Sequence, residues 1–355
     1  MPDSPRAATI RDVAARAGVS AATVSRVLTG NRPVSPAVLT RVQRAIKDLD
    51  YVVNAQARAL SAPHSRTVAI LLPELSWRFH NQIAGGIEQQ AIAEDRLCMV
   101  CSTLGDPHRE MALVEMLRQQ NTEAVVLIGG NFVTPDYVDQ ISHLARALDK
   151  AGSRLVLIGR PAPAPGLPIT VVDYDNDGGA YAAVSHLLSA GHRRIAYFGG
   201  QLNHSTSNTR IAAYERALRD YGVEVDPALV FVGQVSRADC YDAVRAQLAA
   251  GPLPYTAMFC FDDYVAAGVM AAVRDAGLTV PDDLSIIGYN DEPISIDLWP
   301  PLTTVRIPTD ELGRTAVRLA LHRDEPMYAG SHQNVMLGTH VVMRKSVKAR
   351  RNHDR

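Results

Sequence analysis

The sequence predicts a small all-α head followed by a larger α/β body built on doubly wound parallel sheets. Three observations carry this. The stretch from Thr9 to Leu28, TIRDVAARAGVSAATVSRVL, has helical apolar spacing broken once by a glycine. From Val68 onward, short apolar runs alternate with helical stretches, the pattern of strands buried on both faces. Charge is split between the two regions. Residues 1–66 hold ten basic and four acidic side chains, yet the whole chain has net charge −1, so the remainder is acidic. A basic head on an acidic body suits a protein whose head alone meets a polyanion.

In the head, Ile10, Val13, Ala14 and Ala17 share one helix face. Thr9 is placed to cap this helix, with Asp12 three positions on. Gly18 supplies the left-handed stop. Ser20 recaps a second helix, with Val24, Val27 and Leu28 inward and Ala21, Ala22, Ser25, Arg26 and Thr29 outward. Two short helices joined across Gly18, Val19 and Ser20 form a helix-turn-helix. Ser35 and Pro36 are a cap and a first-turn proline for a third helix bearing Val38, Val42, Ile46 and Leu49.

In the body, strands are expected at residues 68–72, 97–100, 124–128, 155–158, 195–198, 229–232, 257–260 and 284–287. Helices are expected at 81–95, 110–119, 178–190, 210–221 and 264–276. One sheet of that many strands is awkwardly wide, so two lobes are expected. The proline-rich stretch 160–166 is read as one crossing between them, with others near 295–302 and 325–330. Residues 347–355 read as a frayed basic tail.

Composition narrows the class. Hydrophobic residues make up 47% and charged residues 21% of 355, as in a soluble globular protein. No apolar run reaches membrane-spanning length and no signal-peptide core opens the chain, so the expected location is cytoplasmic, with no membrane partner. Cys98 and Cys101 have CxxC spacing inside an apolar run. Strand residues three apart face opposite ways, so buried thiols are expected rather than a zinc or redox pair.

The run TIRDVAARAGVSAATVSRVLTG, then VS, then YVVNAQARAL, resembles the LacI-family transcriptional regulators in order and spacing. The likeness continues through GHRRI (191–195), FDDYVA (261–266), VPDDLSIIGYND (280–291), PPLTTV (300–305) and RKS (344–346). It implies a helix-turn-helix head over residues 1–61, with a hinge helix at about 54–60. It also implies a periplasmic-binding-protein-like (type I) body over 66–346 that holds a small-molecule effector between two lobes. The implied partners are double-stranded operator DNA and a second copy of the chain. A tetramer is the alternative assembly, though no C-terminal heptad run favours it.

In such a head, the helix N-termini and the hydroxyls of Thr9, Ser20, Thr23 and Ser25 are candidates for phosphate contacts. Ala21 and Ala22 occupy, by resemblance, the positions that tune operator choice, and apolar contact is all their side chains can offer. Arg26 is the candidate for a bidentate guanine contact, with a phosphate contact as the alternative. The hinge contributes Asn54, Arg58 and Leu60. Leu60 matches the family leucine that wedges into the minor groove, unstacking a base step in return for more wrapped surface. Val53 departs from the proline usual before the hinge.

For the effector, the resemblance points to Asp263 and Arg210, with Phe79, His80, His204 and Thr206 beside them. Trp77, Asp175, Tyr264 and Asn290 are weaker candidates. Arg210 reads as opening a helix, where it opposes the dipole unless something holds it. A carboxylate with a guanidinium suits a ligand rich in hydroxyls, hence a sugar or sugar derivative. A nucleoside or nucleobase comes second, and Val235, where relatives place a stacking aromatic, argues against a flat ring there.

No P-loop, GxSxG, HExxH or metal-spaced Cys/His cluster is present, so neither an enzyme nor a cofactor is expected. A solute-binding protein without a regulatory role is the alternative from another class, and the basic head counts against it. Leu60→Ala is expected to weaken specific operator binding far more than binding to random DNA. Titrating both DNAs at one salt concentration checks this, and equal losses would contradict it.

Overall fold

The computed structural model describes residues 8–29, 33–51, 65–132, 134–322, 325 and 334–350. The chain divides into two compact units, Met1–Ser65 and Arg66–Arg355.

In the first unit, α1 (Ile10–Ala17) starts from a full capping box between Thr9 and Asp12 and stops at Gly18 with φ of 65°. The second helix, α2 (Ala21–Thr29), follows at once, with the amide of Thr23 donating to Ser20 Oγ at 3.2 Å. The third, α3 (Pro36–Asp48), has proline in its first turn, but the Ser35 side chain makes no capping bond, against expectation. Proline's fixed φ and missing N–H already suit that position, so less is lost without the cap. Val13, Ala14, Ala17, Val24, Val42 and Ala45 form the head's core.

In the body, one lobe carries β1 (Thr67–Leu72), β2 (Leu97–Ser102), β3 (Ala124–Ile128), β4 (Arg154–Ile158) and β5 (Ile169–Tyr174). Its helices are α4 (Arg78–Ala93), α5 (Pro107–Gln119) and α6 (Pro135–Lys150). The other lobe carries α7 (Asn176–Ser189), β6 (Ile195–Phe198), α8 (Ser205–Asp220), β7 (Val230–Phe231) and α9 (Arg237–Ala250). It continues with β8 (Ala257–Cys260), α10 (Asp263–Asp275), β9 (Ser285–Ile287), α11 (Ile294–Asp297) and β10 (Thr304–Arg306). Then α12 (Thr309–Leu321) and β11 (Asn334–Leu337) return to the first lobe, and β12 (His340–Val342) pairs with β10. The large sheet runs β11-β5-β4-β3-β1-β2 and the smaller one β7-β6-β8-β9, both parallel throughout.

Three crossings join the lobes, and none lies where the sequence placed it. They fall between Tyr174 and Asn176, between Arg306 and Thr309, and between Leu337 and His340. The proline-rich stretch 160–166 instead links β4 to β5 within one sheet, where residues 155–158 pair with 169–172. Proline marks a loop, but which sheet the next strand joins depends on pairing partners distant in sequence. Residues 227–229 form a 3₁₀ turn, so the run expected at 229–232 is a strand for only two residues.

The tail expectation also needs correction. The amide of Lys348 donates to Ser285 Oγ at 3.1 Å, and that of Arg350 to the carbonyl of Ala190 at 2.7 Å. His192 shares a hydrogen bond with the carbonyl of Lys348. The chain is therefore tied to the second lobe through Arg350. Cys98 and Cys101 are half-buried rather than buried, because β2 is an edge strand. They pack on opposite faces of the sheet, Cys98 toward the core shared with α4 and Cys101 toward that of α5 and α6.

Two glycines let α12 lie close on α4. A Cβ at Gly313 would sit 2.3 Å from the carbonyl oxygen of Ile83, and one at Gly86 would sit 2.3 Å from that of Asp310. Alanine favours a helix by roughly 1 kcal/mol over glycine, but here the obstacle is backbone, so the helices must part. Gly313→Ala is expected to destabilise the body by about 1–2 kcal/mol, read as a lower urea midpoint.

Candidate DNA-reading head and effector cleft

On the head, Ala22 and Arg26 are exposed and Thr23 and Ser25 are half-buried along α2, whereas Ala21, expected outward, packs against the head's core. Thr9 spends its hydroxyl on the Asp12 carboxylate at 2.7 Å, and Ser20 shares a hydrogen bond with Thr23 at 2.9 Å. These bonds tie the hydroxyls of Thr9, Ser20 and Thr23 into their own helix starts. Asn54, Arg58 and Leu60 lie outside the described residues.

The body holds a cavity of about 280 Å³ at the carboxyl ends of both sheets, where ligands of open α/β folds sit. Phe79, His80, His204, Thr206 and Arg210 all line it, as do Trp77, Tyr264 and Asn290. Asp263 and Asp175 do not. The Asp263 carboxylate is fully buried and accepts from the Glu292 amide at 2.7 Å and the Thr304 hydroxyl at 2.5 Å. It clasps the β9 end to β10, and its full burial keeps it off the cavity wall. Asp262 is the neighbour that faces the cleft, while also capping α10 through the amide of Val265. Two adjacent aspartates look alike in sequence; only the turn into α10 decides which points outward. Asp175 caps α7, accepting from the amide of Gly178 at 2.8 Å.

Arg210 sits in the second turn of α8 rather than opening it. The helix begins at Ser205, whose amide donates to the carbonyl of Asn131 on the opposite lobe. The dipole objection therefore lapses. The guanidinium is buried, donates to Asn176 Oδ1 at 2.9 Å and to the carbonyl of Phe261, and lies 3.7 Å over the Tyr289 ring.

The first-lobe wall is equally built. Trp77 stacks on His80 at 5.4 Å between centroids, and Phe79 meets Tyr174 edge-on. Beneath them Arg160 is buried, pairs with Glu110 at 2.9 Å, and donates to Tyr137 Oη and the carbonyl of Gly129. Gly129, at φ of 94°, is pressed so close to His80 that a Cβ would meet its Nε2 at 2.7 Å. Across the cleft Asn131 accepts from Ser205, and Phe132 meets the His204 ring edge-on at 5.3 Å.

Burial, helped by the charge of Arg160, holds the His80 imidazole down at about 3 and that of His204 at about 4, so both are neutral near pH 7. Burial and then the charge of Asp262 push the Glu292 carboxyl up to about 7. Three buried atoms of lining residues have no hydrogen-bond partner among the described residues: His80 Nδ1, Asn290 Oδ1 and Glu292 Oε2.

The model for bacterial regulatory proteins of the lacI family matches residues 9–54, and the periplasmic binding protein-like domain matches residues 184–347. The HTH-type transcriptional repressor PurR of Haemophilus influenzae (strain PittEE) is 31% identical over 346 residues, covering 96% of this chain and 99% of its own. The chain belongs to the LacI family. The HTH-type transcriptional repressor CytR of Escherichia coli (strain K12) is 31% identical over 343 residues, covering 97% of each chain. The lac repressor dimer bound to operator and the anti-inducer ONPF superposes with a TM-score of 0.82 at 25% identity, over 97% of this chain and 100% of its own. A complex of the transcriptional regulator CelR with cellobiose gives 0.68 at 30% identity, over 96% and 99%. This LacI-family protein is thus a DNA-binding transcriptional repressor, and its relatives are repressors rather than enzymes. No described helix is long and apolar enough to cross a membrane.

The motifs that carry the family likeness converge in the repressor's second lobe. Asp291 is gripped by Arg306 and Arg344, each at 2.6 Å, and Ser346 joins Thr303 to Ile286. Reading the sequence missed Glu292, Arg78, Arg237 and Phe261 in the cleft lining. Only the strand-end rule could have found Glu292, which lies five residues beyond β9.

The depressed His80 pKa has a signed consequence. An unfolded histidine titrates near 6.5, so below that the unfolded state takes up a proton the fold refuses. The wild type should lose stability relative to His80→Asn by about 1.4 kcal/mol per pH unit as pH falls from roughly 6.5 toward 4. Glu292 acts oppositely, but equally in both proteins. Urea denaturation at several pH values reads the difference, and a constant gap would refute the neutral buried histidine.

Proposed function

We propose that the repressor binds a palindromic operator as a homodimer and that a hydroxyl-rich effector, a sugar or sugar derivative, sets its DNA affinity from the body cleft. The three buried, unpartnered atoms of His80, Asn290 and Glu292 carry this reading. Asn290 Oδ1 and a Glu292 carboxylate oxygen can only accept, and burying such groups unpaired costs about 1–3 kcal/mol each. A ligand presenting several hydroxyls relieves that cost. Aromatic faces at Trp77, Phe79 and Phe261 suit the apolar side of a sugar ring. The cellobiose complex of a relative supports the same class. The open face of Trp77, 43% exposed, favours a nucleoside as the second reading.

For the homodimer, apolar side chains are exposed on both lobes: Leu97 and Val100 on the edge strand β2, Ile92 on α4 and Met116 on α5, and Ile296 and Trp299 at α11 and just beyond it. Such patches mark interfaces. Two heads then read half-sites related by two-fold symmetry. The proposed DNA contacts are Thr9, Ser20, Ala21, Ala22, Thr23, Ser25 and Arg26, with Asn54, Arg58 and Leu60 in the hinge of the 1–61 head. Work on genomic DNA supports a cytoplasmic location.

Neutral sugars, cellobiose among them, and nucleosides should be screened for a rise in melting temperature, then tested on operator affinity. A sugar is expected to raise the melting point and change operator affinity roughly tenfold or more, within the usual range of allosteric coupling. A ligand that binds without moving operator affinity is not the effector. Stabilisation by nucleosides alone would overturn the sugar reading.

A further inference from the structure

The cleft wall on the second lobe holds two carboxyl groups that no ion pair reaches among the described residues. Asp262 lines the cleft at the start of α10, and its carboxylate accepts from the backbone amide of Val265. Glu292 is 3% exposed, receives one hydrogen bond at Oε1 from Asn290 Nδ2 at 3.2 Å, and leaves Oε2 without a partner. Asn290 Oδ1 beside it is also without one.

Two other buried acids of this body are matched by arginine, while Asp263 has only the Glu292 amide and the Thr304 hydroxyl. Glu110 has Arg160 and Asp291 has two arginines. The cleft arginine Arg210 is committed to Asn176, Phe261 and Tyr289. The charged groups acting on Glu292 are Asp262 from α10, which opposes its ionisation, and Arg78 from α4, which favours it. Glu292 in turn presses on Asp263 and Tyr264. The net result is a carboxyl held part-protonated near neutrality.

We infer that Glu292, with Asn290, is a specificity-determining pair that takes a protonated amino group of the effector, so that the cleft prefers an amine-bearing sugar to its neutral counterpart. The inference rests on the sugar reading above and narrows it. An ammonium supplies several donors, fills the vacant oxygens of Asn290 and Glu292, and lowers the repulsion between Glu292 and Asp262. A hydroxyl does the first in part and the last not at all. Binding an ammonium therefore drives Glu292 to its ionised form and releases a proton.

The test is calorimetric titration of the full-length protein with matched pairs at neutral pH: glucose and glucosamine, galactose and galactosamine, mannose and mannosamine. At least one amino sugar is expected to bind roughly tenfold or more tightly than its neutral partner. Repeating that titration in two buffers of different ionisation enthalpy should show net proton release. This measurement needs only the wild type, so it stands even where a variant fails to fold. In Glu292→Gln, with its fold checked by circular dichroism, the preference for the amino sugar over its neutral partner should collapse. An amino preference that survives in Glu292→Gln would remove Glu292 from the role. Neutral sugars binding as well as amino sugars would overturn this inference and leave the sugar reading intact. Failure of every sugar to bind would overturn both.

Discussion

Arg210 is the constraint around which the cleft is assembled. Its buried guanidinium lies over the Tyr289 ring after β9, reaches Asn176 at the start of α7, and meets the Phe261 carbonyl after β8. One side chain thus ties a helix start to the ends of two strands. No salt bridge to it is present among the described residues, and the ring face and carbonyl dipoles carry its charge. That arrangement leaves a cation fixed beside Asp262 without neutralising it. Removing it would leave Asn176, Phe261 and Tyr289 each facing a void.

The two lobes share one buried apolar cluster and meet at the chain crossings and across the cavity. Three chain crossings lie side by side at Tyr174, Arg306 and Leu337, where the Thr339 hydroxyl and the Asp175 carbonyl bond at 2.9 Å. On the far side of the cavity, Asn131 and Ser205 bond across the gap, and Gly130 leaves no room for even a Cβ against His204 and Thr206. A ligand that changes the lobe angle must work against these contacts. Any ligand shifts such an equilibrium only by the difference in its affinity for the two arrangements.

Much of this was legible in the residues. Thr9, Gly18 and Ser20 set the head helices because caps and left-handed stops are local chemistry. The runs at 124–128, 195–198 and 257–260 match strands end to end, since strands buried on both faces have no polar positions to blur their limits. Strands β5, β10, β11 and β12 went unread, as did α6, α9 and α12. Short strands such as Thr304–Arg306 carry too few residues for a period. The crossings failed for another reason: composition reports flexibility of the chain, whereas a crossing is a choice of partner.

The sequence by itself determined the family, the basic reading head, the alternation of strand and helix, and most of the cleft residues, because each rests on local spacing or on motifs in order. Tertiary structure decided that Asp262 rather than Asp263 faces the ligand space, that Arg210 leans on Tyr289, and that Glu292 is buried with an empty oxygen. Those outcomes depend on how strand ends from separate parts of the chain come together. Burial and distance, which set charge and hydrogen-bond demand, exist only once they have met.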